Sequence, residues 1–362
     1  MSVMPLFSPF APHFSREAVF PVGSRLRRAD RILPVFLPFA GCPGRCVFCA
    51  QDRQTGSGGD VDGNLRAAAA LLDEIRPEQS IELAFYGGTF TALPAEQRKK
   101  ALALYTRYRS SGKVNCGRCS TRPDALGAGT PSAVLRELAE AGLDLVELGV
   151  QSFSDTALHL ARRGYDGTGA EAGCRAVPAA GLKLGIQLLP GMPGVTPEVF
   201  LHDVDRALEL RPACLRFYPC LVPEGTELAG MWRAGNYAPW TEEETVAALG
   251  EGLRRAWEAG VPVIRLAVAP EPVFDTALLA GPRHPALGGL IRAEALLRTT
   301  ERALRRLGGA PGRLYLPRAC QGYMYGHKGA LRARWAALGL PPERIVFTAG
   351  EDARLCGPPE TH

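Results

Sequence analysis

The 362-residue chain lacks any uninterrupted apolar run near the roughly 20 residues that a membrane-spanning helix needs. Its first 20 residues are apolar, but Pro5, Pro9 and Pro12 interrupt them and no basic segment precedes them, which is unlike a signal peptide. We therefore expect a cytoplasmic protein with no membrane segment and an irregular arm over residues 1–30. Because thiols stay reduced in the cytoplasm, clustered cysteines there predict metal binding or catalysis rather than disulfides.

Lysine is scarce: it occurs at five positions, so arginine supplies most of the 42 basic residues. Against 37 acidic residues, the formal net charge is +5. This surplus is compatible with an anionic partner such as tRNA, but it does not require one.

Short apolar runs alternate with longer amphipathic segments along most of the chain, which is typical of a parallel sheet covered by helices. The strand candidates are residues 31–39, 81–87, 114–121, 143–152, 182–190, 213–219 and 261–268. The helix candidates between them are residues 61–76, 94–110, 131–142, 168–181, 196–210 and 241–260. Six or seven such units predict an α/β fold, either a complete or partial (β/α) barrel or an open doubly wound sheet. In both, functional residues lie at the C-terminal ends of the strands.

The alternation loosens after residue 269. A helix over residues 290–308, a strand over 313–317 and a final helix around 330–339 are expected there. We therefore divide the chain into an N-terminal arm (1–30), a core domain (31–269) and a small C-terminal α/β extension (270–362).

Three cysteines, Cys42, Cys46 and Cys49, lie within eight positions directly after the first strand candidate. A structural zinc site takes four ligands, and no other cysteine or histidine lies between His13 and Cys116, so zinc would need a distant partner. A thioredoxin-like redox pair should open a helix, whereas this loop is bounded by glycine and proline. Three thiolates on a four-iron cluster would leave one iron open to a substrate or cofactor. Zinc and a redox pair are therefore the weaker alternatives.

The C-x3-C-x2-C motif, placed after the first strand of a barrel-like pattern, resembles the signature of the radical S-adenosylmethionine (SAM) superfamily. The resemblance implies a partial TIM-type barrel, a [4Fe-4S] cluster on Cys42, Cys46 and Cys49, and SAM bound to the open iron. It further implies reductive cleavage of SAM to a 5′-deoxyadenosyl radical that abstracts hydrogen. The electron would come from a one-electron reductant such as flavodoxin or ferredoxin.

The resemblance also implies SAM contacts at the ends of successive strands; the positions are Phe48, Gly87, Gly88, Thr89, Arg122, Gln151, Arg163 and Gln187. Two of them carry alternatives. Arg122 could instead form an internal ion pair with Asp124, and the related proteins have an acidic residue where this chain has Gln187. Glu147 is expected to orient a ligand or to anchor its strand. No catalytic residue is assigned.

The motifs "FYGGTFTALP", "STRPD", "ELGVQS", "LLPGMPG" and "RFYPCLVPEGTEL" extend the resemblance. They are similar to the radical-SAM half of the elongator catalytic subunit, which modifies the wobble uridine of tRNA using SAM and acetyl-CoA. The spacing of the first two cysteines is more compact here, and we expect no acetyltransferase domain, because too little sequence follows the core. The tail resembles stand-alone bacterial relatives labelled elongator-like or coproporphyrinogen oxidase-like.

An RNA nucleoside, in particular of tRNA, is therefore the expected substrate class, and a small metabolite or porphyrin-type compound is the alternative. An alternative of another class is a non-catalytic iron–sulfur carrier or redox sensor, which would not need the SAM positions. Outside these motifs, Cys116 and Cys119 form a second C-x-x-C, but a strand points them to opposite faces. His327 and Lys328 could bind an anion, but a loop with solvated polar groups is the preferred expectation for them.

Overall fold

A computed structural model describes residues 16–23, 29, 31–51, 60–76, 79, 81–126, 132–268 and 272–358. Residues 1–15 of the predicted arm lie outside these ranges. The chain divides into two compact units, a larger unit of residues 24–288 and a small unit formed by residues 1–23 with 289–362. In the described part of the chain, no helix combines the length and hydropathy needed to cross a membrane.

The strands, in chain order, are β1 (Glu17–Pro21), β2 (Arg31–Phe36), β3 (Ile81–Tyr86), β4 (Cys116–Thr121), β5 (Leu145–Gln151), β6 (Lys183–Leu188), β7 (Cys214–Phe217), β8 (Val222–Pro223), β9 (Val263–Arg265), β10 (Leu278–Ala280), β11 (Arg313–Pro317), β12 (Ile345–Thr348) and β13 (Asp352–Cys356). The α-helices are α1 (Val61–Glu74), α2 (Ala95–Ser110), α3 (Ala133–Glu140), α4 (Asp155–Leu160), α5 (Gly167–Ala179), α6 (Pro197–Glu209), α7 (Glu227–Arg233), α8 (Glu242–Glu258), α9 (Pro272–Thr276), α10 (Leu287–Leu307) and α11 (Arg332–Ala337). Short 3₁₀ turns cover Phe90–Ala92, Pro123–Ala125, Arg318–Cys320, His327–Gly329 and Pro342–Arg344.

The larger unit is built on a seven-stranded parallel sheet in the order β2-β3-β4-β5-β6-β7-β9. This order follows the chain, so each helical crossover returns to the neighbouring strand, as in a partial (β/α) barrel. The predicted fold class is confirmed, and each of the seven strand candidates of the core contains one of these strands. Since all strands run in one direction, their C-terminal ends form one rim.

Helix ends in the larger unit follow local chemistry. The Thr196 side chain accepts a hydrogen bond from the Val199 N–H, and Pro197 occupies the first turn of α6. Gly142, Gly181 and Gly260 adopt positive φ where α3, α5 and α8 end, which a residue with a Cβ would strain to do. These caps set the short connections that return the chain to the sheet.

The small unit contains a four-stranded mixed sheet in the order β1-β13-β11-β12. The buried Leu314, Leu316, Leu355 and Trp335 form part of its core. The expectation of an irregular arm over residues 1–30 is wrong for Glu17–Pro21, because these residues form β1. This strand pairs antiparallel with β13, and Phe20 is buried. Pairing of the two ends of the chain supplies the hydrogen bonds that order this segment, and local sequence does not show that pairing.

Candidate active site

The cysteine loop begins directly at the C-terminal end of β2 and folds into a series of tight turns. The Cys42 N–H donates to the Phe39 carbonyl oxygen at 3.0 Å, and the Cys49 N–H donates to that of Cys46 at 3.1 Å. Phe39 and Gly41 both adopt positive φ. These turns compact the segment that carries the three cysteines.

Main-chain hydrogen bonds from three other segments hold the loop. The Thr89 N–H donates to the Ala40 carbonyl at 2.7 Å, and the Leu228 N–H at the start of α7 donates to that of Val47 at 2.8 Å. The Val47 N–H in turn donates to the Ala161 carbonyl at the end of α4, over 3.4 Å. These main-chain contacts alone already give the loop a defined position.

The Gly87-Gly88-Thr89 turn at the end of β3 packs directly on this loop. Gly87 and Gly88 have φ of 76° and 60°, and a Cβ on Gly88 would overlap the carbonyl oxygens of Ala40 and Leu37. The close approach that glycine permits here is to the cysteine loop itself. Thr89 is fully buried, and its hydroxyl lies 3.3 Å from the Cys42 sulfur.

Gln51, two residues after the third cysteine, joins these two elements and is not among the predicted site residues. Its side-chain oxygen accepts hydrogen bonds from the Phe39 N–H at 2.7 Å and from the Gly88 N–H at 2.8 Å. Its place next to the cysteine motif is the one sequence signal that could have pointed to it. The Gly88 amide hydrogen is thus already engaged within the protein.

The three cysteine thiols lie close enough to influence one another. Burial, followed by the nearby Cys46 and Cys42, raises the pKa of the Cys49 thiol to about 12. Burial also raises the pKa of the Cys42 thiol, whereas the Thr89 hydroxyl and the guanidinium groups of Arg122 and Arg163 act in the opposite direction. Metal or cluster binding at these sulfurs would release their protons.

Arg163 is the most tightly held of the predicted SAM-site residues. It is 4% exposed, and its guanidinium donates to the Cys46 sulfur at 2.9 Å, to the Gly149 carbonyl and to the Tyr165 hydroxyl. The Tyr165 hydroxyl donates onward to the Gly149 carbonyl at 3.0 Å. Tyr165 belongs to the same "RRGY" segment, but sequence reasoning did not single it out.

Arg122 forms the internal ion pair that was one of its two predicted alternatives. Its guanidinium makes a two-pronged contact with the Asp124 carboxylate at 2.8 and 2.9 Å, and it also donates to the Arg163 carbonyl. One of its nitrogens lies 3.8 Å from the Cys46 sulfur. Two positively charged groups therefore face the same cysteine.

Gln151 ends β5 in a strained conformation. Its φ is 71°, in the left-handed region that residues with a Cβ rarely adopt, and a bulge interrupts the β5–β6 register between Gly149 and Gln151. The Gln187 side-chain nitrogen on β6 lies 3.4 Å from the Gln151 side-chain oxygen. The structure thus brings these two predicted residues together at the rim.

Asp203 of α6 fixes the chain immediately after Gln151, and sequence reasoning missed it. Its carboxylate accepts from the Ser152 hydroxyl at 2.6 Å and from the Phe153 N–H at 2.8 Å. Burial raises the pKa of this carboxyl to about 6, although the two hydrogen bonds act to lower it. A buried aspartate with backbone and hydroxyl donors is a positioning group for the strained turn.

Beneath the rim, a buried network of charges crosses the sheet. Arg118 on β4 contacts the carboxylates of Glu82 on β3 and Glu147 on β5, and Glu147 also pairs with Arg216 on β7. The Tyr86 hydroxyl lies 3.3 Å from Glu147 and accepts from Arg216. The charges of the two carboxylates and the two guanidiniums balance. Glu147 therefore anchors its strand, which was one of the two expectations for this residue.

A cavity of about 360 Å³ opens within the larger unit beside the segments that follow β7 and β9. Apolar side chains such as Leu221, Phe274 and Leu278 line it, together with the polar Asp275, Arg283 and His284. The Arg283 guanidinium donates to the carbonyls of Asp275 and Leu278 at 2.8 and 3.3 Å, which fixes its position. Such a mixture of apolar walls and a few polar groups is typical of small-ligand pockets.

The remaining predicted positions add little to the site. Phe48 lies half-buried in the cysteine loop, and Cys116 and Cys119 are buried on β4, as expected for strand positions.

Among the described residues, no three histidine, cysteine or carboxylate side chains are grouped as ligands of a single metal ion. In a multi-iron cluster each thiolate binds its own iron, and three neighbouring thiols faced by two guanidiniums are compatible with that arrangement.

Comparison with known proteins agrees with this geometry. Residues 36–207 match the family model described as the Radical SAM superfamily, and residues 212–297 match the Radical_SAM C-terminal domain. The chain is 26% identical over 304 residues to a protein of Methanocaldococcus infernus named tRNA uridine(34) acetyltransferase, covering 72% of this chain and 55% of that one. It is 27% identical over 299 residues to the protein of the same name in Methanocaldococcus jannaschii, covering 69% and 52%.

Among solved structures, the M. infernus Elp3 with an N-terminal deletion shares the fold. The TM-score is 0.57 at 24% identity, and the match covers 76% of this chain and 63% of that chain. The chain spans about half the length of the curated relatives it matches.

Proposed function

Because the chain belongs to the radical SAM superfamily, we propose that it is an enzyme that binds a [4Fe-4S] cluster through Cys42, Cys46 and Cys49, cleaves SAM reductively and abstracts hydrogen from an RNA nucleoside. The observation that carries this proposal is the arrangement at the rim. The cysteine loop, the Gly87–Thr89 turn and Arg163 come from three separate segments and meet in direct contact.

The residues of the chain have distinct roles in this proposal. When bound, the cluster would pass on an electron from the reductant, and SAM would supply the 5′-deoxyadenosyl group that hydrogen abstraction requires. Arg163 and Arg122 place two guanidinium groups beside the Cys46 sulfur and would fix its position as a ligand. Thr89 fixes the orientation of the Cys42 side chain. Thr89, Cys46 and Arg163 are buried, which would limit the access of water to this part of the site.

The polar groups at the ends of the next strands would hold SAM. Gln151 and Gln187 offer amide groups at neighbouring strand ends. Gln151 has a positive φ, and Asp203 holds the next residue by accepting a hydrogen bond from the Ser152 hydroxyl. Gly87, Gly88 and Phe48 would contribute main-chain groups and packing surface. The Arg122 side chain is committed to Asp124, so its role would be electrostatic.

The RNA substrate is supported by the relatives, whose name specifies a uridine of tRNA. We propose the cavity beside β7 and β9 as the site of the reacting nucleoside, because its lining residues follow the C-terminal ends of these two strands, and the cysteine loop follows the C-terminal end of β2 in the same parallel sheet. Asp275, His284 and Arg283 provide a hydrogen-bond acceptor, an imidazole and a cation. These groups suit the polar edge of a base, and the apolar wall suits its faces. A one-electron reductant such as flavodoxin or ferredoxin would supply the electron.

The test is SAM cleavage by anaerobically reconstituted protein in the presence of a strong reductant. Wild type is expected to bind about four irons and four sulfides and to form 5′-deoxyadenosine, whereas Cys46→Ala should form none. Cys174→Ala, which changes a buried cysteine of α5, serves as the control. Failure of wild type to assemble a cluster while binding zinc would refute the central claim.

The substrate is tested by isotope transfer. tRNA isolated from cells grown in deuterated medium should transfer deuterium to 5′-deoxyadenosine, as read by mass spectrometry. An equal amount of the same tRNA without deuterium provides the control. Full SAM cleavage with no transfer from tRNA, but with transfer from a deuterated small-molecule extract, would leave the enzyme class standing and remove RNA as the substrate.

A further inference from the structure

The positive charge of the protein is concentrated in the small unit. Residues 1–23 and 289–362 contain 13 lysines and arginines against 7 acidic residues, whereas residues 24–288 contain 29 against 30. The small unit therefore carries a formal charge of +6 and the larger unit −1. The overall excess of +5 comes entirely from the unit that holds none of the cluster cysteines.

Part of this charge lies around one exposed turn, which we call the basic turn: residues 323–332, with Arg292 of α10 beside it. The side chains of His327, Lys328 and Arg332 are exposed, and those of Tyr323 and Tyr325 are half-buried. The Arg332 guanidinium lies 4.3 Å from the centre of the Tyr325 ring. Arg292 is close enough to Tyr323 to influence its hydroxyl.

The basic turn is held rigidly from below. The buried Trp335 donates its indole N–H to the Met324 carbonyl at 2.9 Å, and the Leu331 N–H donates to the Tyr325 carbonyl at 2.9 Å. Gly326, Lys328 and Gly329 all adopt positive φ. Lysine pays a conformational cost for that region, so the fold fixes this exposed cation in a strained position.

Several acidic residues of the small unit pair with other arginines. Glu294 pairs with Arg298 and Arg334, and Glu17 lies 3.8 Å from Arg354. Within the described ranges, Arg292, Lys328 and Arg332 make no ion pair, although Glu343 lies near Tyr325. The basic turn thus presents three cations outside ion pairs next to aromatic rings, with one carboxylate, that of Glu343, near Tyr325.

We propose that the small unit is an RNA-binding surface, with the basic turn at its centre, that captures the RNA on which the larger unit acts. This inference rests on the proposed RNA substrate. Cations beside half-exposed aromatic rings are the combination that binds single-stranded nucleic acid, because the cations contact phosphates and the rings stack on bases. Most of the unit, from residue 298 onward, lies outside both matched family models, so this surface would be separate from the shared chemistry.

RNA fits these features better than the other anionic partners. A lipid surface requires clustered cations but gains nothing from a ring covered on one side by a guanidinium. An acidic protein would likewise need charge alone. The stacked pair of Arg332 and Tyr325 offers a flat surface for a base, and the exposed Lys328 of the same turn offers a cation for a phosphate.

The test measures binding of unmodified tRNA transcript to the full-length protein, over a range of salt concentrations. The double charge reversal Lys328→Glu/Arg332→Glu is expected to raise Kd at least tenfold and to lower the salt slope by about 1.4 to 1.8, as loss of two phosphate contacts predicts. The matched control is Lys99→Glu/Lys100→Glu, which makes the same charge change on α2 of the larger unit. We expect the control to change Kd less than twofold.

A second pair of variants separates stacking from charge. Tyr325→Ala is expected to raise Kd about fivefold or more with an unchanged salt slope, whereas Tyr325→Phe should bind as wild type does. Circular dichroism melts of each variant monitor folding of the chain.

The outcomes distinguish the two proposals. If wild type binds tRNA and both charge reversals weaken binding equally, the basic turn is not the RNA surface, but the proposed substrate stands. Vesicles of anionic lipid that bind more tightly than tRNA, with the same dependence on Lys328 and Arg332, would assign the surface to a membrane instead. Absence of any tRNA binding by wild type would overturn both proposals.

Discussion

The Arg163 guanidinium donates to the Cys46 sulfur at 2.9 Å and, at the same time, to the main-chain carbonyl of Gly149. Gly149 is the residue at which the bulge of β5 begins. One buried side chain thus connects the cysteine loop to the strained end of a strand three positions along the sheet. Whatever changes the direction of this guanidinium changes two parts of the site together.

Replacing Arg163 by lysine should therefore impair the reaction although the charge is kept. Lysine cannot reach Cys46, Gly149 and Tyr165 simultaneously, because it lacks the planar arrangement of donors. Losing one charged hydrogen bond of about 2 kcal/mol predicts at least a tenfold lower rate of 5′-deoxyadenosine formation. The adjacent Arg162→Lys, at an exposed position paired with Glu227, is the control and should stay within twofold of wild type. Equal rates for the two variants would contradict the role given to Arg163.

Gly88→Ala should disrupt the cysteine loop. The added Cβ overlaps the carbonyls of Ala40 and Leu37, and the positive φ adds strain, together costing about 2 kcal/mol or more. Reconstituted protein is expected to hold less than half the wild-type iron. Gly44→Ala changes a glycine of the same loop that has open space around it, and it should retain full iron. The measurement is iron and sulfide analysis after anaerobic reconstitution, and normal iron in Gly88→Ala would contradict the packing argument.

Arg118 should contribute strongly to the stability of the larger unit. Arg118→Met leaves Glu82 and Glu147 buried with fewer partners, and removing one member of a buried ion pair costs about 3–5 kcal/mol. Adding Glu82→Gln should recover part of this loss, since one uncompensated charge disappears. Denaturant titration of the two single variants and the double variant gives the coupling. A strictly additive double variant would show that the two side chains do not act as a pair.

Asp203 should make stability fall as pH rises from about 4 to 6. Its pKa is raised to about 6 by burial, against about 3.9 in an unfolded chain, so the folded protein binds the proton more tightly. The protonated Asp203 carboxyl stabilises the folded protein fully below its pKa in the unfolded chain, and this stabilisation is lost as pH rises through its pKa in the folded protein. The free energy of unfolding changes by up to about 3 kcal/mol over this range. Asp203→Asn should remove this dependence.

The comparison that checks this prediction is the difference in unfolding free energy between wild type and Asp203→Asn across that pH range. Asp205→Asn, which removes an exposed carboxylate of the same helix, controls for the loss of a negative charge. A constant difference between wild type and Asp203→Asn would mean that this carboxyl titrates as it does in water.

The sequence alone predicts the parallel sheet because each strand is an apolar run between capped helices, and such patterns are local. It does not predict β1, since Glu17–Pro21 gains its hydrogen bonds from β13 at the other end of the chain. The sequence likewise does not predict the buried charge network. Whether Glu82, Arg118 and Glu147 are in contact depends on the register between strands, which no single segment determines.

The residues of the candidate site also fall into those that local sequence predicts and those that it does not. The cysteine spacing is a local motif, so Cys42, Cys46 and Cys49 can be chosen from sequence, and resemblance supplies Arg163. Gln51 and Asp203 act through distant main-chain groups, Gly88 and Phe153, and their importance becomes visible only when those groups are placed. For Arg122, sequence leaves two alternatives open, and the nearby Asp124 provides the partner in the structure.

The main-chain anchoring of the cysteine loop has a consequence for how this protein can change during evolution. Thr89, Ala161 and Leu228 hold the loop through their amide or carbonyl groups, which every substitution except proline at a donor preserves. The exposed residues between the first two cysteines, Pro43 to Arg45, contribute none of these anchors. Selection can therefore vary the outward chemistry of that short segment, and adapt it to different surroundings, while the spacing of the three sulfurs stays constant.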